Sequence, residues 1–169
     1  LLEAGSARDP QGKEGLAALA ADMLVAAGSR TARIDEIRQA LHPLAATFDA
    51  QVDKEMVTLT GTFPRDGWDR FAEVALPQLV DPGFREEDFR RLRDEHRNAL
   101  VQDLRETNDE ELGKERLQAN VFAGTPYGHP VLGTVAGLDA ITLDDVKAFV
   151  SAYYTRANVT VGTGGDAPA

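Results

Sequence analysis

The chain has 169 residues, 43% apolar and 27% charged, which suits one folded domain, or one carrying part of a second, and is too apolar for disorder. Eighteen basic residues against 28 acidic give a net charge of −10, which argues against a phosphate backbone or an anionic membrane as partner. The absence of cysteine excludes disulfides, thiolate nucleophiles and cysteine–zinc sites, and no apolar run approaches the length of a membrane span.

Leu1–Gly5 reads as the inside of a strand rather than the start of a protein, so the sequence reads as a piece of a longer chain. The alanine- and leucine-rich stretch Gly15–Ala27 predicts a helix ended by Gly28, and Thr31–Leu41 a second helix stopped by Pro43. The period then shortens to two. Thr47–Val52 and Met56–Phe63 alternate and predict an antiparallel hairpin turning at Asp53–Glu55. Helices follow over Trp68–Val80, Glu86 to about Arg105, and Glu110–Phe122, then a Gly/Pro-rich loop over Ala123–Gly137. Thr142 and Asp145 have the spacing of a capping box before a helix over Leu143–Tyr154, and Asn158–Thr163 predicts a last strand. The fold class is α+β, an antiparallel or mixed sheet with helices packed on one face, with residues 1–163 as one domain and 164–169 as the start of a linker.

The histidines are His42, His96 and His129, and no two stand at the i,i+4 spacing that offers two imidazoles to one metal. There is no phosphate-cradling glycine loop, nucleophile elbow or dinucleotide fingerprint. From the residues alone the chemistry stops there.

The order of the segments says more. Ala4-Gly-Ser-Ala-Arg-Asp-Pro-Gln-Gly-Lys-Glu-Gly-Leu-Ala-Ala-Leu-Ala-Ala-Asp-Met-Leu24 resembles the opening of the pitrilysin/insulinase family of zinc peptidases. There a GS-x-x-[DE]-P-x-G-x-x-GLAH stretch leads into a helix carrying the inverted zinc motif H-x-x-E-H. Ala46–Val52 resembles the family's edge strand, and Asp81–Phe89 its P-x-F-x-x-x-x-F helix start. Pro126–Gly133 is similar to a PYGHP-x-x-G loop, Tyr153–Asn158 to YY-x-x-x-N, and Gly164–Asp166 to the close of the first of the family's repeated domains. The resemblance covers nearly the whole chain in order, and implies the first repeat domain of a pitrilysin-like peptidase.

The departure falls on the active centre. The alignment puts Ala18 and Asp22 on the two zinc histidines, Ala21 on the glutamate base, and Asp103 on the third ligand. Zinc peptidase chemistry needs two imidazoles and a carboxylate on the metal, and a further carboxylate to deprotonate the bound water. No catalytic residue and no metal ligand is therefore expected, and no cofactor in this chain. A hydrolase built on Asp22 and Asp103 would require a metal that the sequence gives no sign of.

On the helix, Leu16, Leu19, Ala20, Met23, Leu24 and Ala27 form one apolar stripe, with Ala18, Ala21, Asp22, Glu14 and Val25 nearly opposite. Two alanines and a valine on the second face predict that it too is covered, by a second domain or a partner subunit; alanine's high helix propensity is the plainer explanation. Asp103 shares a face with Phe89, Leu92, His96 and Leu100, and so points inward, as a relic ligand position or as a carboxylate bonded to backbone. His129 reads as a structural hydrogen-bonding residue, His42 as a helix-end cation, and Glu86–Asp88 and Asp109–Glu111 as acidic helix starts on the surface.

By the resemblance, an extended peptide adds to the edge strand, here Thr47, Phe48, Asp49, Ala50, Gln51 and Val52; main-chain pairing survives loss of the metal. The resemblance implies a non-catalytic member that pairs with a zinc-bearing subunit, or the second half of its own polypeptide, around a chamber for peptides. By the same analogy its compartment is the bacterial periplasm, the cytoplasm or an organelle matrix. A stand-alone peptide-binding or scaffold domain is the alternative.

Overall fold

The computed structural model describes residues 1–103 and 109–165, and the side chains of these apart from 102, 103, 109, 111 and 112. Its elements are α1 (Leu16–Val25), α2 (Ile34–Leu41), β1 (Thr47–Val52), β2 (Val57–Thr62), α3 (Trp68–Ala75), α4 (Pro77–Val80), α5 (Glu86–Asn98), α6 (Asp109–Val121), α7 (Val135–Ala140) and α8 (Leu143–Tyr153). A π-helical turn, Ala99–Asp103, continues α5.

β1 and β2 form the expected antiparallel hairpin, in register from Thr47 opposite Thr62 to Val52 opposite Val57. The Asp53 carboxylate accepts the backbone N–H groups of Glu55 and Met56 at 2.7 Å each, and so closes the turn locally. Leu2 bridges Val57 on one side and Val159 on the other, so the sheet runs β1, β2, Leu2, Val159. Phe48, Ala50 and Val52 are half-buried beneath helices, while Thr47, Asp49 and Gln51 are exposed. The fold is α+β with helices on one face of the sheet.

α1 is the centre of the core. Leu16, Ala17, Ala18, Leu19, Ala20, Ala21, Met23 and Leu24 are all buried, against α5, α8 and β1. Of the second face, Ala18 and Ala21 are covered by this chain's own elements, so burying them requires no second domain or partner, while Glu14, Asp22 and Val25 stay half-exposed. A second cluster joins Ile37 and Leu41 of α2 to Phe71 and Ala75 of α3, with Phe48 and Phe63 against them. The Phe63 and Phe71 rings stack at 4.6 Å.

Four boundaries differ from expectation. The second helix starts at Ile34 rather than Thr31, because the Glu36 carboxylate accepts the Arg33 N–H and fixes the start there. Pro77 divides Trp68–Val80 into α3 and α4, since its ring cannot continue the helical hydrogen-bond ladder. The Gly/Pro-rich loop ends early in α7, whose first turn is capped by Thr134 accepting the Gly137 N–H at 2.9 Å. The last strand reduces to one bridge at Val159, because alternation makes a ladder only where a partner strand lies alongside, and Leu1–Leu2 is the partner.

The motif-bearing segments meet at one junction. Ser6 N and Ala7 N donate to the carbonyls of Asp53 and Lys54 in the hairpin turn. Lys54 Nζ donates to the His129 carbonyl, and Tyr127 Oη to Glu55 at 2.6 Å. Asn158 donates to the Tyr153 carbonyl at 2.7 Å. Asp9 reaches across its loop to accept from Gly15 N and Ala17 N at 2.7 Å each, and so caps α1.

Burial raises the Asp9 carboxyl from 3.8 to about 6, against the lowering effect of those two N–H bonds and of nearby His129. Because the folded value is the higher, the native state holds a proton that the unfolded chain has released. The stabilisation from this group is complete below pH 3.8 and is lost as pH rises through about 6. The stability difference between the protein and Asp9→Asn is therefore expected to change by about 2–3 kcal/mol between pH 4 and 6.5. Chemical denaturation at a series of pH values measures it, and parallel profiles would refute it.

Candidate functional site

Ala18, Ala21 and Asp22 lie on the middle of α1. Ala18 is 4% exposed and Ala21 0%, so both methyl groups are packed inside the core. Asp22 is half-buried, and its Oδ2 lies 2.5 Å from Nε2 of His96 on α5, 74 residues further along the chain. The His96 ring is buried, with its Nδ1 atom unpartnered among the described residues. The Tyr154 hydroxyl is likewise buried without a partner, and burial, with the Asp22 charge nearby, pushes its pKa up.

The two helices run antiparallel. Beyond Asp22, Arg91 Nη2 donates to the Ala26 carbonyl at 2.6 Å, and Arg85 donates to the carbonyls of Ala27 and Ser29 at 3.2 and 2.7 Å. Arginines at the head of α5 thus satisfy the carbonyls left over at the end of α1. Phe89, Leu92, His96 and Leu100 are buried, as the expected inward face of this helix requires. Asp103 ends the π turn, and its side chain lies outside the described residues.

Neither other histidine joins this cluster. His42 is exposed at the C-terminal end of α2, where a cation suits the helix dipole. His129 Nδ1 bonds the Pro130 carbonyl at 2.8 Å, the structural role expected of it. The pairing of Asp22 with His96 is what sequence reasoning missed. The available signal was that Asp22 is the one charged residue of α1, and His96 the one polar residue on the inward face of α5.

β1 presents its outer edge without a pairing strand among the described residues. Thr47, Asp49 and Gln51 alternate outward along it, and Phe48, Ala50 and Val52 turn toward the helices. Among the described residues no helix is long and apolar enough to cross a membrane.

The architecture is thus a helix buried beneath a small antiparallel sheet, with a second helix packed antiparallel along it. The sequence profile of Insulinase (Peptidase family M16) matches residues 1–135, and the chain belongs to that family. It is 26% identical over 128 residues to the "Non-peptidase homolog YmxG" of Helicobacter pylori, covering 76% of this chain and 29% of that protein. It is 20% identical over 166 residues to the "Probable mitochondrial-processing peptidase subunit beta" of Arabidopsis thaliana, covering 97% of this chain and 30% of that one. Among solved structures, a peptidase M16 inactive domain from Pseudomonas fluorescens superposes with a TM-score of 0.76 at 23% identity, covering 88% of this chain and 35% of that one. The chain therefore spans about 30% of the length of these curated relatives.

A zinc ion of the kind the family implies does not fit the residues present. Of the positions that the resemblance assigns to the zinc centre, Ala18 and Ala21 carry buried methyl groups, and the Asp22 carboxylate is already engaged by His96. Among the described residues no group of three or more histidine, aspartate and glutamate side chains could hold a metal. The chain is an M16 member lacking the active site.

Proposed function

We propose that this domain is a non-catalytic wall of a family M16 peptidase assembly. It pairs with a zinc-bearing subunit, or with the second half of its own polypeptide, and the two enclose a chamber in which extended peptides lie along β1. The reading is supported by a combination on one helix and one strand: the positions on α1 that the resemblance assigns to the donor set hold Ala18, Ala21 and Asp22, while β1 has no pairing strand on its outer edge among the described residues. Main-chain pairing along such an edge needs no particular side chain, so peptide contact outlives loss of the metal. One relative is named a non-peptidase homolog and another a subunit of a processing peptidase, which supports a member that acts beside another chain. In this arrangement the partner supplies zinc, water and base.

The test has two parts. After metal-free dialysis and reloading with one equivalent of zinc, the chain is expected to retain well below one zinc per molecule. Mixed with an M16 subunit carrying H-x-x-E-H from the same source, it is expected to form a stable complex that cleaves a fluorogenic peptide faster than that subunit alone. Tight one-to-one zinc with cleavage by this chain alone would overturn the non-catalytic assignment. Peptide binding along β1 without any complex would leave a stand-alone peptide-binding domain instead.

A further inference from the structure

The resemblance implies a ligand set that ties a central helix to a later segment through a metal; here α1 is joined to α5 by a hydrogen bond between Asp22 and His96, a residue outside that set. We propose that the Asp22–His96 contact is a metal-free tie that holds α1 against α5, and so fixes the helix beneath β1 without zinc.

The geometry supports this in three ways. The contact is short, 2.5 Å between Asp22 Oδ2 and His96 Nε2, and joins residues 74 apart in sequence. It is placed where directional contacts are otherwise lacking. Asp9 pins the amide end of α1 and Arg91 and Arg85 its carbonyl end, but the buried side chains of Leu16 to Ala21 between them are methyl and leucine groups that meet their neighbours by packing. Apolar packing sets the distance between two helices but resists sliding poorly, whereas a hydrogen bond to a carboxylate fixes register.

The burial is also asymmetric. The His96 side chain is 8% exposed and that of Asp22 36%, and His96 Nδ1 has no partner among the described residues. The bond from Nε2–H to Asp22 is therefore the ring's one hydrogen bond there. Removing Asp22 strands a buried imidazole with none, while removing the ring leaves a carboxylate that water can reach.

A double-substitution cycle tests the tie. Asp22→Ala is expected to lower the folded-to-unfolded ratio on the order of ten- to a hundred-fold. His96→Leu is expected to cost less in the native background, and to cost nothing or to restore stability once Asp22 is gone. Chelator is expected to leave every midpoint unchanged. Equal cost of His96→Leu in both backgrounds, or a fall in the native midpoint with chelator, would overturn the proposal. A second readout does not depend on the variants folding: the imidazole Nε2–H of His96 in the native protein is expected as a slowly exchanging, strongly deshielded proton resonance. A freely exchanging imidazole would equally refute the tie. None of these measurements involves a partner subunit or a peptide, so the tie and the proposed function fail or stand separately.

Discussion

Replacing Gly133 by alanine is expected to cost at least about 4 kcal/mol, enough to unfold the domain or leave it marginal. Gly133 has φ +88°, a conformation that already costs a residue with a Cβ about 1 kcal/mol. The larger part is contact. A Cβ at this position would fall far inside van der Waals contact distance of the Glu14 carbonyl and 2.5 Å from the Gly15 Cα, and these are backbone atoms. Thr134 N donates to the same Glu14 carbonyl at 3.3 Å, so backing away breaks the junction between the loop before α1 and the loop before α7. Gly12 supplies the control. Its φ of +80° is similar, but nothing lies within 4 Å of its missing Cβ, so Gly12→Ala is expected to cost only about 1 kcal/mol. Denaturant midpoints of the two variants separate close backbone approach from backbone conformation, and equal losses would refute the packing argument.

That contrast explains why so much of the fold was legible in the sequence. Several segments that carried the family resemblance are tied to their surroundings by side-chain hydrogen bonds or by close backbone approach. Asp9 caps α1, Tyr127 and His129 bond the hairpin turn, Gly133 lies on Glu14, and Asn158 bonds the chain at Tyr153. Close backbone approach restricts which residues fit, and so leaves a readable pattern. Local devices were legible for the same reason: the alternation in β1 and β2, and the Thr142–Asp145 capping box.

Features that depend on distant partners were not legible. The last strand alternates convincingly, yet its ladder extends only where Leu1 and Leu2 lie beside it. Helix α7 begins inside a loop rich in glycine, where nothing but Thr134 announces it. Periodicity found one apolar stripe on α1 and read the opposite face as something for another chain to cover, because a single helix does not reveal how many neighbours of its own enclose it. The Asp22–His96 contact joins two helices through one residue on each; each stands out in its own segment, but neither segment shows which residue 74 positions away is its partner.

The burial of α1 also makes the lost active centre testable from the other direction. Ala21→Glu, which puts a carboxylate at the position that the resemblance assigns to the base, is expected to destabilise the protein by about 3–5 kcal/mol at pH 7. In a working metal centre this side chain would face a cleft with water and an ion to answer its charge. Here Ala21 is 0% exposed, and the nearest charged neighbour in sequence is the Asp22 carboxylate, which repels it. Its bulk adds an overpacking cost of roughly 1–3 kcal/mol, which Ala21→Gln shares without the charge. Burial raises the pKa of the introduced carboxyl, so the gap between the Glu and Gln variants is expected to narrow as pH falls from 8 toward 4. Denaturation of both variants across that range measures the charge cost separately from the steric one. A Glu variant within about 1 kcal/mol of the parent at pH 7 would mean that this face of α1 opens to solvent as an active cleft does. A large, pH-dependent loss means that the helix has been rebuilt as core, and that restoring the peptidase would require reopening the space as well as replacing the ligands.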